Sequence, residues 1–259
     1  MQFKIFDLGL IEFKKAWNFQ QEVFQDVKNS RFKSALILCQ HYPVITLGRS
    51  GSHENILISE NDLMAHEIEV FKVERGGDVT YHGPGQLTVY PIVDLNYFKK
   101  DIRWFLRKLE EIIAACLSDF GIKGQSLPGK TGVWINEQKI ASIGIAIRSW
   151  VTFHGLSINV KKSDLSNFDF IRPCGMDIRM TALELVRGES LGIDKVKESI
   201  IKRFRDILLV QHKNRFSQGY TFFNRISCVP AGQMKAQLSE RAPGFIGKAG
   251  VPLVRQVKL

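Results

Sequence analysis

Cysteine is scarce in this chain: Cys39, Cys116, Cys174 and Cys228 are the four in 259 residues, with no C-x-x-C pair among them. That spacing carries neither a structural zinc site nor the disulfide framework of a small secreted domain. Acidic residues are in deficit. There are 26 Asp and Glu against 36 Lys and Arg, a net charge of +10. So basic a chain is expected to meet an acidic partner: nucleic acid, a membrane surface or an acidic protein. No apolar run approaches the roughly 20 residues of a membrane span. The opening MQFKIFDLGL holds one basic and one acidic residue in a strand-like pattern. It reads as neither a signal peptide nor an Arg-rich transit peptide. The expectation is a cytoplasmic, reducing setting with no membrane attachment. A 44% hydrophobic content suits one large domain, or one domain with an appendage.

What is present centres on residues 75–91, RGGDVTYHGPGQLTVYP. Gly76, Gly77, Gly83 and Gly85 crowd into this stretch, with Arg75 opening it and His82 inside it. Glycine tolerates positive φ and lets backbone approach a ligand closely. A strand-like run, 87–95, follows at once. A loop of bare N–H groups pinned to a strand can cradle an anion or a carbonyl oxygen, although a tight turn between strands would look similar.

Along the chain, 2–8 reads as a strand and 10–28 as a helix carrying Phe13, Trp17 and Phe24. Strands are expected at 35–39, 44–47 and 69–73, with a turn at 40–43. Ser59 and Asp62 predict a capping box for a short helix ending near His66. The clearest helix is 101–120, whose apolar stripe includes Phe105, Leu109, Ile112, Ile113 and Cys116, with Gly121 as the terminating glycine. Residues 132–160 predict an antiparallel meander turning at Glu137-Gln138. Thr181 and Glu184 suggest a second capping box for a helix at 181–187, and a longer helix is expected at 194–210. The class is therefore α+β, a mostly antiparallel or mixed sheet with flanking helices. The stretch 217–259 sustains no period and has six basic residues against one acidic. It predicts a basic, Gly/Pro-containing tail appended to a catalytic domain of 1–216.

Several motifs fail on context. Residues 124–131, GQSLPGKT, match a phosphate-binding loop letter for letter. That loop needs a strand before it and a helix after it; here the order is inverted. Residues 188–192, GESLG, match a nucleophile elbow, but a helix precedes them where a strand is required. After Gly83 and Gly85 a dinucleotide fingerprint needs a glycine at 88, which is Thr88.

Cys174, in RPCGM, and Lys139, in QKIASIG, would each be unremarkable alone: inert packing and a solvated side chain. Together, RGGDVTYHGPGQL (75–87), KIASIGI (139–145), FHGLSIN (153–159) and PCGM (173–176) strongly resemble the lipoyl(octanoyl) transferase family over about residues 1–215. The resemblance implies the fold of biotin and lipoate protein ligases. It implies transfer of an octanoyl group from acyl carrier protein to a lysine of lipoyl domains, those of 2-oxoacid dehydrogenase E2 subunits and the glycine cleavage H protein. Cys174 matches the family's nucleophile and Lys139 the lysine that activates it. Substrate-lining segments fall on Arg75, Gly76, Gly77, Asp78, Val79, Thr80, Tyr81 and His82, on Ser142, Ile143 and Gly144, and on Gly155, Leu156 and Ser157.

The residue types suit that chemistry. A thiolate is the competent nucleophile, and a lysine serves as base only when partial burial depresses its pKa. A thioester is already activated, so neither metal nor ATP is expected as cofactor. The β-branched residues of 140–147 offer an apolar wall for the chain. His82 and His154 are open to two readings, a hydrogen bond to the loop that carries Cys174 or the satisfaction of buried backbone, and the structural one is favoured for both. Two rivals remain: an ATP-dependent lipoate or biotin ligase on the same fold, and a non-catalytic basic protein binding a carrier protein or nucleic acid. Against the ligase stand the Pro-Cys-Gly segment in register and the lack in this sequence of a G-R-G-R-type adenylate loop at 48–51; the binding protein leaves Cys174 and Lys139 unexplained.

Overall fold

The computed structural model describes residues 3–173 and 178–210, together with the backbone of 228–230. Its main sheet has eight strands in the order β11-β1-β2-β6-β10-β9-β8-β7. These are β1 (Phe3–Ile11), β2 (Ser34–His41), β6 (Gln86–Val93), β7 (Gln125–Leu127), β8 (Lys130–Ile135), β9 (Gln138–Arg148), β10 (Val151–Asn159) and β11 (Cys228–Pro230). The β11–β1 and β1–β2 pairs are parallel; the others are antiparallel. A second sheet, β4-β3-β5, joins β3 (Val44–Leu47), β4 (Glu69–Lys72) and β5 (Val79–His82). The mixed α+β class stands.

Helices cover both faces of the main sheet. On one face α3 (Ile102–Ser118) and α5 (Ile193–Phe204) pack Phe105, Leu109, Ile112, Val196 and Ile200 onto Leu36, Val89, Ile140 and Leu156. On the other, α1 (Phe13–Lys28) lays Ala16, Val23, Phe24 and Val27 over Ile37, Ile92 and Phe153. Strands covered on both faces are apolar throughout. Every residue of β6 and of β10 is accordingly buried. The small sheet packs beside α1, where Phe13 meets Val44 and Val73.

Several boundaries differ from those read in the sequence. β1 runs on to Ile11, so α1 starts at Phe13, and β2 extends through His41 into the expected turn. The meander turns at Asn136 and Glu137, with Asn136 at φ +54°, since β9 already begins at Gln138. Residues 124–131 form a hairpin: Leu127 pairs with Lys130 across Pro128 and Gly129, the latter at φ +76°. No helix follows to receive a phosphate. The capping box of α2 (Glu60–Ala65) is present, Ser59 and Asp62 bonding each other's backbone N–H. The one expected at Thr181 is not. The N-cap of α4 (Leu183–Arg187) is Ala182, with no side-chain hydrogen bond. Glu184 instead takes Lys161 Nζ at 2.7 Å and the Lys162 N–H at 3.1 Å. Residues 188–192 connect two helices, as expected, Gly188 closing α4 at φ +74°. α5 ends at Phe204 and continues as a π-helical turn, Arg205–Val210. No helix among the described residues is long and apolar enough to cross a membrane.

Candidate active site

The two sheets enclose a cavity of about 390 Å³, a size that suits a small-molecule ligand. Its floor is the α1-side face of β6, β10 and β9. Residues paired across antiparallel strands share a face. Ser142 pairs with Ser157, and Ser157 with Thr88, so three hydroxyls form a row across three strands. The next row holds Gly144 opposite Gly155. All five line the cavity, and Thr88 Oγ1 is buried with no hydrogen bond among the described residues.

The glycine loop forms the opposite wall. The Gly76 N–H donates to Ile145 O at 2.8 Å, tying the loop to β9. Arg75 is buried, and its guanidinium turns inward: Nη2 donates to Thr46 O at 2.6 Å, Nε to Thr46 Oγ1 at 3.2 Å and Nη1 to Gly76 O at 3.1 Å. It staples the loop to β3. Asp78 accepts from Asn55 Nδ2 at 2.6 Å and from the Ser52 N–H at 3.3 Å. The 48–55 segment is thereby locked against the loop.

Cys174 lies outside the described residues, as do 175–177. Both stems of that segment are described. Before it, the Arg172 N–H donates to Asn55 O at 2.8 Å, and Pro173 lines the cavity. After it, residues 179–181 bracket Lys139: the Lys139 N–H donates to Arg179 O at 2.8 Å, and the Thr181 N–H to Lys139 O at 2.9 Å. Lys139, at the start of β9, is half-buried, with Nζ 5.3 Å above the Trp134 ring. Lys130 approaches the same ring at 5.5 Å.

His82 and His154 both line the cavity and are buried. Burial, reinforced by His41 and Arg75, pushes the His82 imidazole down to about 3, so it is neutral near neutrality. Burial also lowers His154, against a hydrogen bond from its Nε2 to Glu74 at 3.2 Å. His154 sits at φ +55° where β10 stops pairing with β6, and its N–H turns to Gln20 Oε1 at 3.0 Å. Beyond that point the Thr152 hydroxyl patches the ladder, accepting from the Val93 N–H and donating to the carbonyl of Pro91.

The structure brings Lys139, Arg75, Gly76, Gly77, Asp78, Val79, Thr80, His82, Ser142, Ile143, Gly144, Gly155, Leu156 and Ser157 around this one cavity. Tyr81 is the exception. It faces the other side of β5, stacking edge-on against Phe168, and its hydroxyl takes Asn167 Nδ2 at 2.7 Å. Strand alternation turns the Tyr81 side chain away from those of Thr80 and His82. Thr46, Thr88, Tyr90 and Trp134 also line the cavity and were not singled out. Thr88 and Tyr90 alternate along β6 on the cavity side, a signal the apolar character of that strand concealed. Among the described residues, no group of three or more His, Cys, Asp or Glu is placed to hold a metal ion.

Residues 12–205 match the family described as the lipoyl protein ligase A/B catalytic domain. An octanoyltransferase of Pelobacter propionicus is 40% identical over 203 residues, 78% of this chain and 93% of that protein. In structure the chain is similar to a lipoate-protein ligase A bound with ATP, at a TM-score of 0.65 and 16% identity over 93% of this chain and 95% of the other. It is also similar to a chain from the bipartite lipoate protein ligase and E2 lipoyl domain system of Thermoplasma acidophilum, at a TM-score of 0.63 and 17% identity, covering 93% of each. At such identities these two likenesses establish the fold.

Proposed function

We propose, from the premise that this chain belongs to the lipoyl protein ligase A/B catalytic family and is an octanoyltransferase acting in protein lipoylation, that transfer runs through a thioester on Cys174. The donor is octanoyl-acyl carrier protein. The acceptor is a specific lysine of a lipoyl domain, and the setting is the cytoplasm. In the first half-reaction Lys139 takes the Cys174 thiol proton, the thiolate attacks the donor thioester, a new C–S bond forms, the donor's C–S bond breaks and the carrier leaves as a thiol with the proton returned from Lys139. In the second, the lysine amine attacks, the C–N bond forms and the C–S bond breaks. The amine's proton passes by way of Lys139 to the departing sulfur.

What supports this reading is the tethering of the 174–177 segment. One stem, at Pro173, lies on the cavity wall, and the other is hydrogen-bonded on both sides of Lys139. A lysine beside the cavity can hold the thiol deprotonated and then take up the amine's proton. The Ser142, Ser157 and Thr88 row and the glycine rows leave room for an extended acyl chain between the sheets.

The test is intact-protein mass spectrometry after mixing with octanoyl-acyl carrier protein, without ATP. A ping-pong enzyme is expected to gain about 126 Da, lost on adding a lipoyl domain, with no adduct in Cys174→Ala. No adduct on the native protein, an adduct retained by Cys174→Ala, or transfer that requires ATP would each overturn the covalent reading.

A further inference from the structure

Two buried amides, Gln86 and Asn159, link the cavity wall to the segment that brackets Lys139. His82 Nδ1 lies 2.6 Å from Gln86 Oε1. Gln86 Nε2 donates to Asn159 Oδ1 at 2.9 Å and to Tyr81 O at 3.3 Å. Asn159 Nδ2 donates to Thr181 O at 3.0 Å. The Thr181 N–H in turn bonds Lys139 O. Gln86 and Asn159 are buried, 4% and 3% exposed, and their amides are satisfied by these protein partners.

The polarity of this chain is fixed from its ends. The carbonyls of Thr181 and Tyr81 can only accept. Asn159 must therefore present its NH2 to Thr181 and its oxygen to Gln86. Gln86 must present its NH2 to Asn159 and Tyr81, and its oxygen to His82. The only sense left for the first link is His82 Nδ1–H donating to Gln86 Oε1. The imidazole is neutral, so its Nε2 carries a lone pair, and that is the edge of the ring left to the cavity that His82 lines. Among the described residues, the charged or titratable groups that act on the ring are His41 from β2, whose ring centre lies 5.9 Å away, Arg75 from the glycine loop and His154 from β10. None of them is an anion that would charge it.

We propose that Gln86 and Asn159 are positioning residues for octanoyl transfer: they hold His82 as the Nδ1–H tautomer, with Nε2 as a fixed acceptor in the cavity, and tie that acceptor to the 179–181 segment beside Lys139. This rests on the transfer reading above. Nε2 takes a hydrogen bond from one N–H of the attacking amine and aligns its lone pair with the thioester carbon. It gains no proton itself; the proton route through Lys139 is unchanged.

Long-range 1H–15N correlation spectra of the full chain test the relay without reference to activity. His82 is expected to be neutral, with the proton on Nδ1, down to below pH 5; a proton on Nε2 overturns the proposal. Gln86→Glu sets a carboxylate against Nδ1, which favours imidazolium and turns Nε2 into a donor. The expected result is an unfolding midpoint close to native and a kcat for lipoyl-domain octanoylation at least tenfold lower at pH 7. A new ionisation should restore the rate as pH rises, with KM for the carrier substrate little changed. A pH–rate profile superimposable on the native one overturns the positioning role. If Gln86→Glu does not fold, Asn159→Asp serves. It still accepts from Gln86 but opposes Thr181 O, so the tautomer should persist while kcat falls, and an unchanged kcat overturns the link to Lys139. A native protein with the Nδ1–H tautomer but no transfer activity would instead bring down the functional reading, and with it the catalytic purpose assigned to the relay.

Discussion

Gly48 has no room for a side chain. A Cβ there would fall far inside van der Waals contact with the Gly77 carbonyl oxygen and 3.0 Å from the Arg75 carbonyl oxygen. Both are backbone oxygens fixed by hydrogen bonds from the Arg49 and Ser50 N–H groups, at 2.9 and 3.3 Å, and neither can swing aside. Gly76, although part of the conspicuous glycine pair, meets only Ile145 O at 3.6 Å, an ordinary contact, and its φ is not positive. Gly48→Ala is thus expected to cost about 2 kcal/mol or more through overpacking, and Gly76→Ala to stay within about 1 kcal/mol. Denaturant unfolding of the two variants checks this; equal losses, or a larger loss at Gly76, would refute it. Within the motif, Gly76 has space around it, while Gly83 and Gly85 are crowded by Tyr81, Asp164 and Lys161. Gly48 sits in the partner loop, and only the fold brings the two together. Arg75 carries the same lesson. Its guanidinium turns onto Thr46 of β3 and staples the loop there, a partner 29 residues away that only the fold supplies.

At the scale of elements, α3 is held by a cap as well as by its buried stripe. Asp101 Oδ1 accepts the Trp104 N–H at 3.0 Å. Asp101→Ala removes that acceptor and is expected to cost about 1 kcal/mol, read as a shift in the global unfolding midpoint, because α3 buries Phe105, Leu109, Ile112 and Ile113 in the main core. Ser59→Ala breaks a complete capping box, yet α2 buries no residue. Its effect should be confined to local hydrogen exchange. A global shift from Ser59→Ala as large as that from Asp101→Ala would contradict this reading. The helices were legible for the same reason that they matter: a sustained 3.6-residue stripe needs a sheet to cover. The hairpin of β7 and β8 was half missed, since β7 has only three residues and no alternation to betray it. Thr181 and Glu184 have the spacing of a capping box for α4, but the Thr181 backbone serves Lys139 and Asn159, and the Glu184 carboxylate serves Lys161. Long-range partners outbid a local pattern, and nothing local could announce them. The cavity-lining motifs were legible as segments. That they close on one another across two sheets was not, since that depends on the pairing of β3 with β5 and of β9 with β10.

For the whole molecule, the buried histidines set a limit on acid stability. Burial holds His41 down to about 4 and His82 to about 3. His41 is fixed between Ile11 O at 3.0 Å and the Tyr90 hydroxyl at 2.7 Å, with no anion to share a charge. An unfolded histidine titrates near 6.5. Below that pH the unfolded chain binds protons that the folded chain refuses, so stability is complete above about 6.5 and drains away as pH falls towards the folded values. By pH 5 the loss is on the order of 2 kcal/mol for each of the two. The carboxylates that Arg203 and Lys161 hold down to about 2, Asp119 and Glu184, act in a lower window. Their contribution is intact above the ordinary carboxylate range and is lost only below it. A fall in the urea midpoint between pH 7 and pH 5 therefore reports the histidines, while a further fall below pH 4 adds the carboxylates. Unfolding curves at pH 7, 6, 5, 4 and 3 decide the matter, with His41→Gln as the control, since a neutral side chain at that position should flatten the upper part of the profile. A midpoint that stays level from pH 7 to pH 5 in the native chain would mean that the histidine cluster protonates without unfolding, and that the polar floor of the cavity is open to water.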